Sequence, residues 1–372
     1  DLIFFELLLE IDHLDTELGT KWQPIASLTN QLPLQLLAEV ENTEYQEVMK
    51  IWQDAFEWSY YDEVLAGIQQ LSKSKKKKEF VVSEPKSFQA LFCIDEREDS
   101  IRRHVESIDK NSETFGTPGF FSVEFYFQAF GAKFYDKLCP APVTPKFLIK
   151  EYDVTQKRAH DLLYTNKTHQ LTTGFLSTFV FGFWSAFRLV KNLFFPQESP
   201  AISNAFLHMN AEGKLTVENK NTDDMENNLQ IGFTVDEMAT RVASLLNGIA
   251  LTKDFAPMVY VVAHGSSSAN NPHHGAHDCG ACSGRPGSVN ARVFALMANN
   301  PKVRAVLKSE GIVIPDETQF IGALHDTAAD EIEFYDVDTL NSENTKSHTK
   351  NAHTFEDSLD LNAKERSRPF SS

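Results

Sequence analysis

Two segments of the chain each have the pattern of a buried strand leading towards a helix, and reactive side chains stand where those strands end. The apolar run FQALFCID, residues 88–95, is followed directly by the helical pattern EREDSIRRHVESI. The run APMVYVVAHG ends at His264 and Gly265, and a helical stretch begins at Ser288. Strands that alternate with helices predict an α/β fold with a largely parallel sheet, in which ligands bind beyond the carboxyl ends of the strands.

Sequence patterns divide the remainder of the chain into regions around this core. Apolar residues recur three and four positions apart before about residue 70, which predicts helices. Residues 210–228 are polar and predict a loop, whereas the Ser-, Asn-, Thr- and His-rich composition from about 340 predicts mobility. The expected regions are a helical region at 1–78, the first half of the α/β core at 79–160, a helical insertion with a polar loop at 161–230, the second half of the core at 231–340, and a truncated mobile tail at 341–372.

A Phe- and Trp-rich segment lies inside the expected insertion, at 171–195. Its most apolar part, 174–187, is shorter than the roughly 20 residues that a helix needs to cross a bilayer. Arg188 and Lys191 then place charge on the same helix. We therefore expect a buried or partner-docking helix and not a membrane span.

The charge balance and the cysteine content restrict the class of protein. The chain has 52 acidic against 35 basic residues, a net charge of −17, which argues against nucleic acid as a partner. Its four cysteines are few for a disulfide-stapled secreted protein of 372 residues, and no signal peptide is evident. We expect a reducing, cytoplasmic location. Because the sequence opens without Met and in the middle of a pattern, we also expect it to be a piece of a longer protein.

The pentapeptide CIDER, residues 93–97, suggests a metal site at the end of the first strand. Residues two apart in a strand face the same side, so Cys93 and Asp95 can point into one cavity, with Arg97 near enough to bind Asp95. A thiolate and a carboxylate repel each other unless a cation lies between them, and zinc accepts both ligand types. The alternative is a buried cysteine beside a surface Asp–Arg pair.

The second segment, HGSSSANNPHHGAHDCGACSG, is dense in possible metal ligands. Such density of imidazoles and thiols is typical of metal binding. The spacing of Cys279 and Cys282 also matches a zinc-knuckle half or a redox pair, but no second pair of that kind completes a knuckle, and the glycines around them predict a loop and not a helix start. The candidates are His264, His273, His274, His277, Asp278, Cys279 and Cys282.

Six motifs together give the chain a resemblance to a known family. They are CIDER, ETFGTPGFF, CPAPVTPK, HGSSSANNP, DCGACSGRPGSVNAR and FIGALHDTAADEIEFYD, in this order from about residue 80 onwards. The chain resembles the DabA family, the large soluble subunit of a bacterial inorganic carbon transporter. The resemblance implies a core similar to β-carbonic anhydrases, with a mostly parallel sheet flanked by helices, and a Zn²⁺ cofactor.

The same resemblance implies which residues bind the zinc. The family's ligands fall on Cys93, Asp95, His264 and Cys279, and Arg97 matches the arginine that pairs with the motif's aspartate. The remaining histidines of the second segment and Cys282 are then loop or supporting groups, and Cys139 is expected to be a buried thiol. His325 and Asp326 end another expected strand, where they either line the same cavity or form a structural pair.

The chemistry of zinc suggests how a site with these ligands would work. Zinc lowers the pKa of a bound water to about 7 and supplies hydroxide for CO2 hydration. If Asp95 occupies the fourth ligand position the site is closed, whereas an ion pair with Arg97 draws it away. Asp95 and Arg97 are therefore our candidate catalytic residues, and we expect a closed resting site that a partner opens.

The implied partner is DabB, a proton-translocating membrane subunit that would make CO2 hydration to bicarbonate unidirectional. This chain would then lie peripherally at the cytoplasmic face of the bacterial inner membrane. In true β-carbonic anhydrases the histidine and second cysteine are close together, whereas here a long loop separates His264 from Cys279. The alternatives are a stand-alone zinc lyase or hydrolase, and a binding module with a structural zinc.

Overall fold

The computed structural model describes residues 45–75, 85–152, 209, 211–221, 224–267 and 277–368, together with isolated positions between 174 and 194. The chain divides into two units, 1–83 and 84–372. The described part of the first unit is one long helix, α1 (Tyr45–Lys75), which agrees with the helical periodicity of that region. Much of the expected insertion, residues 76–84 and the loop 268–276 lie outside the described residues.

The second unit is a mixed α/β structure. Its elements are β1 (Gln89–Cys93), α2 (Glu96–Ile108), β2 (Glu113–Thr117), β3 (Phe125–Gln128), β4 (Asp136–Leu138), β5 (Phe147–Tyr152), β6 (Lys214–Leu215), β7 (Met225–Glu226), β8 (Leu229–Ile231), α3 (Val235–Gly248), β9 (Met258–Gly265), α4 (Ser288–Asn299), α5 (Pro301–Ser309), β10 (Gln319–Asp326), β11 (Glu331–Phe334) and α6 (Ser342–Ser367). Short 3₁₀ turns lie at Gly280–Cys282 and Val337–Thr339.

Local sequence explains where several of these helices begin. Thr234 and Glu237 form a capping box at the start of α3, each side chain bonding the other's backbone amide. Asn300 caps α5, and Pro301 occupies its first turn, where a missing amide hydrogen is tolerated. The side chain of Asp95 caps α2, so the residue that follows strand β1 also fixes the start of the next helix.

The first sheet has the strand order β11-β10-β9-β1-β2. Its central strands β9, β1 and β10 run parallel, and their residues are almost all buried, as expected for strands covered on both faces. In the register of β9 and β10, His264 pairs with His325 and Gly265 with Asp326. The carboxyl ends of these strands therefore meet at one edge of the sheet.

The second sheet has the order β4-β3-β5-β8-β7, with β6 paired to β5. Both sheets are mixed, so the expectation of a mostly parallel sheet is wrong. Strand β11 returns antiparallel to β10 through the short turn at 327–330, and β4, β6 and β7 also pair antiparallel. The connections β3–β4, β7–β8 and β10–β11 are short and need no crossover helix, so the strand-then-helix pattern did not indicate them.

Helices cover both faces of the first sheet. On one face, α4 packs on β9 and β10 through a core that includes Val261, Val289 and Phe294. On the other face, α2 and α6 enclose a second core that includes Phe92, Tyr260 and Phe355. The candidate site lies where this layered core reaches the carboxyl ends of β1 and β9.

Helix α6 corrects the expectation of a mobile tail at 341–372. Residues Ser342–Ser367 form a helix that buries Phe355 and Leu359 against the sheet. Several of its other buried positions carry small polar side chains, such as Ser358 and Asn362, so its composition resembled that of a disordered segment. Within the described residues, no helix has the length and apolar character required of a membrane span.

Candidate metal centre

The candidate ligands come from two neighbouring strands and one loop. Cys93 is the last residue of β1, and His264 is next to last in β9, which pairs parallel with β1. Cys279 lies in the loop after β9, directly before the 3₁₀ turn Gly280–Cys282. Backbone hydrogen bonds from Cys279 to Arg285 and from Gly284 to Cys279 close this loop on itself and fix the position of the cysteine.

The side chains of these three residues converge. Each of Cys93, His264 and Cys279 offers one ligand atom, and these atoms all lie within 4.8 Å of one another. All three residues are buried, with at most 4% of their surface exposed. Neither ring nitrogen of His264 makes a hydrogen bond within the described part of the chain, although both are buried. A buried imidazole in this position lacks a partner that a metal ion would supply.

The electrostatics of the cluster also favour a cation. The neighbouring thiol of Cys279 and burial raise the pKa of Cys93, and the neighbouring Cys282 and burial raise the pKa of Cys279. Burial alone would lower the pKa of His264, but contact with Cys93 raises it above its ordinary value. Two thiolates cannot coexist here without a positive charge, and two sulfurs with one imidazole suit Zn²⁺. Cys93, His264 and Cys279 therefore fit a bound Zn²⁺ ion.

Asp95 lies beside the cluster, where it is bound by Arg97. Its carboxylate accepts hydrogen bonds from Arg97 Nε at 2.6 Å and Nη2 at 2.9 Å, while Oδ2 lies 3.4 Å from His264 Nε2. Burial opposes ionisation, but the hydrogen bonds from Arg97 lower the pKa of Asp95 to about 2. Asp95 is therefore a carboxylate at neutral pH. It is not part of the converging group formed by the two thiols and the imidazole.

Gly119 forms one wall of the cluster. A Cβ atom at this position would lie 2.7 Å from Cys279 Sγ and 2.8 Å from Cys93 Sγ, closer than real Cβ atoms approach other heavy atoms. Only glycine therefore lets the backbone between β2 and β3 approach both sulfurs. Gly119 belongs to the motif ETFGTPGFF, but nothing in that motif alone predicts a role for it. The only signal in the sequence is the turn-forming triplet Thr-Pro-Gly, which does not indicate what the glycine approaches.

Cys282 packs beside the ligands without joining them. Its Sγ faces two hydrogen-bond acceptors, the Gly119 carbonyl at 3.4 Å and Asn290 Oδ1 at 3.6 Å. The amide nitrogen of Asn290 donates to the carbonyls of Val123 and Leu138, which fixes its oxygen towards the sulfur. Through these contacts Cys282 supports the loop beside the cluster.

The remaining cysteine, histidine and aspartate candidates predicted from the sequence have other contacts or lie outside the described residues. Cys139 is buried, as expected, and its thiol bonds the carbonyl of Val143. His277 contributes its backbone carbonyl to Arg97, and Asp278 accepts the amide of Ser266. His273 and His274 lie outside the described residues.

His325 and Asp326, the last two residues of β10, make structural contacts with neighbouring segments. His325 is fully buried and lies 2.7 Å from Glu98 through Nδ1 and 3.5 Å from Asp330 through Nε2. Asp326 accepts the backbone amides of Ser267 and Ala328 and so ties β10 to the segment after β9. The pairing with Glu98 was not foreseen, because the two residues are 227 positions apart and nothing in either motif indicates the contact.

Comparison with known proteins identifies the family. A family model described as "Probable inorganic carbon transporter subunit DabA" matches residues 1–372. A protein of that name from Azotobacter vinelandii is 50% identical over 370 residues, which are 100% of this chain and 43% of the relative. Its counterpart from Nitrosospira multiformis is 50% identical over 371 residues, 99% of this chain and 40% of the relative.

A more distant relative of the same name, from Nitrosococcus oceani, is 34% identical over 95% of this chain and 33% of its own length. The chain thus spans less than half the length of these relatives. No solved structure matches it. The match over every residue, with half of the positions identical in two relatives, shows that the chain belongs to the DabA family.

Proposed function

We propose that this chain forms the zinc-binding, carbonic-anhydrase-like part of an inorganic carbon transporter subunit. Its relatives are named as probable subunits of such a transporter, which supports a role in transport. In this proposal the site hydrates CO2 to bicarbonate, and coupling to a membrane partner makes the reaction unidirectional. The observation that carries the proposal is the convergence of Cys93, His264 and Cys279 within 4.8 Å at the carboxyl ends of two parallel strands.

The three converging residues would hold the ion. A bound Zn²⁺ lowers the pKa of water to about 7 and thereby supplies a hydroxide nucleophile at neutral pH. The burial of Cys93, His264 and Cys279 limits the access of bulk water, and Gly119 lets the backbone close over the sulfurs. Exclusion of bulk water strengthens the electrostatic interactions between these buried groups.

Asp95 and Arg97 would decide whether a fourth position is available to substrate. Arg97 holds both carboxylate oxygens of Asp95, and Nη1 of Arg97 is anchored by the His277 carbonyl at 2.8 Å. While this pairing persists, Asp95 cannot bind the ion through those oxygens without breaking strong, charge-assisted hydrogen bonds. Release of the pair would let Asp95 take the position and close the site. The structure contains the formed pair, which is the open arrangement. We propose that in the metal-bound chain without its partner Asp95 leaves Arg97 for the ion, and that the partner restores the pair.

The partner in this proposal is DabB-like, a proton-translocating membrane subunit. The relatives are named as subunits of a transporter, which supports the presence of at least one other protein chain in the assembly. We place the chain peripherally at the cytoplasmic face of the bacterial inner membrane. Energised proton flow through the partner would drive exchange at Asp95 and so trap bicarbonate on the cytoplasmic side.

The test is CO2 hydration measured on the full chain alone and again in membranes that contain the partner. We expect metal-dependent hydration only with the partner, and the same activity in Cys139→Ala, whose thiol lies outside the cluster. Rapid hydration by the isolated chain would contradict control by a partner. Hydration that survives in Cys279→Ala would contradict the site itself.

A further inference from the structure

The guanidinium that binds Asp95 is itself held by the turn between β10 and β11. Arg97 Nη1 lies 3.2 Å from the hydroxyl oxygen of Thr327. Thr327 is buried, and both its amide and its hydroxyl donate to the Gly265 carbonyl, at 2.9 and 3.2 Å. Its hydroxyl hydrogen is therefore directed at Gly265, and its lone pairs face Arg97. The position of Thr327 thus sets where Arg97 can lie.

The turn 327–330 is fixed from outside by helix α6. Arg366 Nη1 donates to the Thr327 carbonyl at 2.9 Å and to Asp330 Oδ1 at 3.3 Å. Asn362, fully buried, donates to the same Asp330 oxygen at 2.8 Å. Asp330 has φ of 51°, a left-handed conformation that a non-glycine residue adopts at a cost. Contacts from α6 therefore stabilise a turn that would not favour this shape alone.

The same part of α6 also contacts the helix that carries Arg97. The hydroxyl of Ser100, in α2, bonds Asn362 Oδ1. One turn of α6 therefore touches both partners of the Arg97–Thr327 contact: the helix that presents the guanidinium and the turn that receives it. Asn362 lies at the junction, because its amide oxygen binds α2 and its amide nitrogen binds the turn.

We infer that Asn362 and Arg366 are positioning residues for the Asp95–Arg97 pair. By fixing the turn 327–330, they hold Arg97 in the place from which it keeps Asp95 away from the ion. This inference rests on the proposed function, since it concerns the fourth position of the same metal centre. If the inference holds, a movement of the last turns of α6 would change the access of Asp95 to the fourth ligand position.

The test uses Co²⁺ in place of Zn²⁺ in the full chain and follows the visible spectrum as azide is added. Azide competes with Asp95 for the fourth position, so its affinity reports how firmly Arg97 holds the carboxylate. We expect Arg366→Ala and Asn362→Ala to bind azide about tenfold more weakly than wild type, the scale of other losses of support around a metal site. Arg366→Lys, which can still reach Asp330, should restore most of the affinity.

The matched control is Arg103→Ala. It removes an ion pair between α2 and α6, Arg103 to Glu365 at 2.6 Å, without touching the turn. Azide affinity in this variant should equal that of wild type. If Arg366→Ala prevents folding, the azide affinity of Thr327→Val provides the deciding measurement. This substitution removes the acceptor for Arg97 with little change of side-chain shape. Wild-type affinity in Thr327→Val and Asn362→Ala would overturn the inference, whereas failure of the wild-type chain to bind Co²⁺ would overturn the proposed function.

Discussion

Arg97 binds both carboxylate oxygens of Asp95, while one of those oxygens lies 3.4 Å from Nε2 of His264. One carboxylate is thus placed between a guanidinium and an imidazole of the converging cluster. Because the hydrogen bonds from Arg97 lower its pKa to about 2, Asp95 stays charged throughout the physiological range. Any exchange at this site is therefore a movement of the carboxylate from one cation to another and not its protonation.

Replacement of Arg97 tests that relationship. In Arg97→Ala we expect the metal to remain bound, because Cys93, His264 and Cys279 are unchanged, and Asp95 to take the freed position. Inorganic carbon uptake by cells that also produce the membrane partner should then fall by about 10- to 100-fold. Metal content and uptake are measured on the same preparation, with Arg103→Ala as the control arginine of the same helix. Loss of the metal, or uptake at the normal rate, would argue against a switch.

Gly119 gives a test of the cluster that leaves every ligand in place. Its substitution by Ala puts a methyl group 2.7 Å from Cys279 Sγ and 2.8 Å from Cys93 Sγ, so the sulfurs must move apart. We expect Gly119→Ala to bind Zn²⁺ about 10- to 100-fold more weakly, as measured by competition with a chromophoric chelator. The control is Gly248→Ala, at a position where a Cβ meets nothing within 4 Å. Equal affinities in the two variants would mean that the sulfurs are not the ligands.

The buried pair of His325 and Glu98 predicts a pH dependence of stability. Burial alone would lower the pKa of His325, but the charge of Glu98 and the hydrogen bonding of Asp330 and Glu98 raise it to about 9. A histidine whose pKa is raised by folding stabilises the folded state fully below its unfolded value of about 6.5, and this contribution is lost as the pH rises through about 9. The shift corresponds to roughly 3 kcal/mol of unfolding free energy.

Chemical denaturation at pH 6 and at pH 9.5 measures this contribution. The wild type should lose roughly 3 kcal/mol more between these values than His325→Gln does. The exposed His353 provides the control, because His353→Gln should follow the wild-type profile. Parallel profiles for wild type and His325→Gln would show that the buried pair does not titrate with folding.

Part of this architecture could be predicted from the sequence. The strand ends at Cys93 and His264 were identifiable because each strand is a short apolar run with an abrupt polar end, and parallel strands bring such ends together. The spacing of Asp95 and Arg97 likewise indicated their ion pair, which the structure contains. Cys279, by contrast, was selected through the family motif, because spacing alone could not rank it above Cys282.

The remaining features depend on contacts that leave no periodic pattern. Helix α6 buries Thr354, Ser358 and Asn362 where an ordinary amphipathic helix buries aliphatic residues, so hydropathy could not reveal its inner face. The turn at Asp330 and the antiparallel β11 join elements through a connection too short to show a composition of its own. The supporting roles of Gly119 and Thr327 arise from close approach between distant segments, which only the fold defines.

Metal analysis of the purified full chain tests the central claim most directly. By plasma mass spectrometry, we expect about one zinc ion per wild-type chain and per Cys139→Ala chain, because Cys139 is buried away from the converging ligands. Cys93→Ala and Cys279→Ala should each lose the ion, since removal of one thiolate leaves too few protein ligands for a tetrahedral zinc site. Zinc retained in full by both variants, or absent from the wild type, would contradict the account.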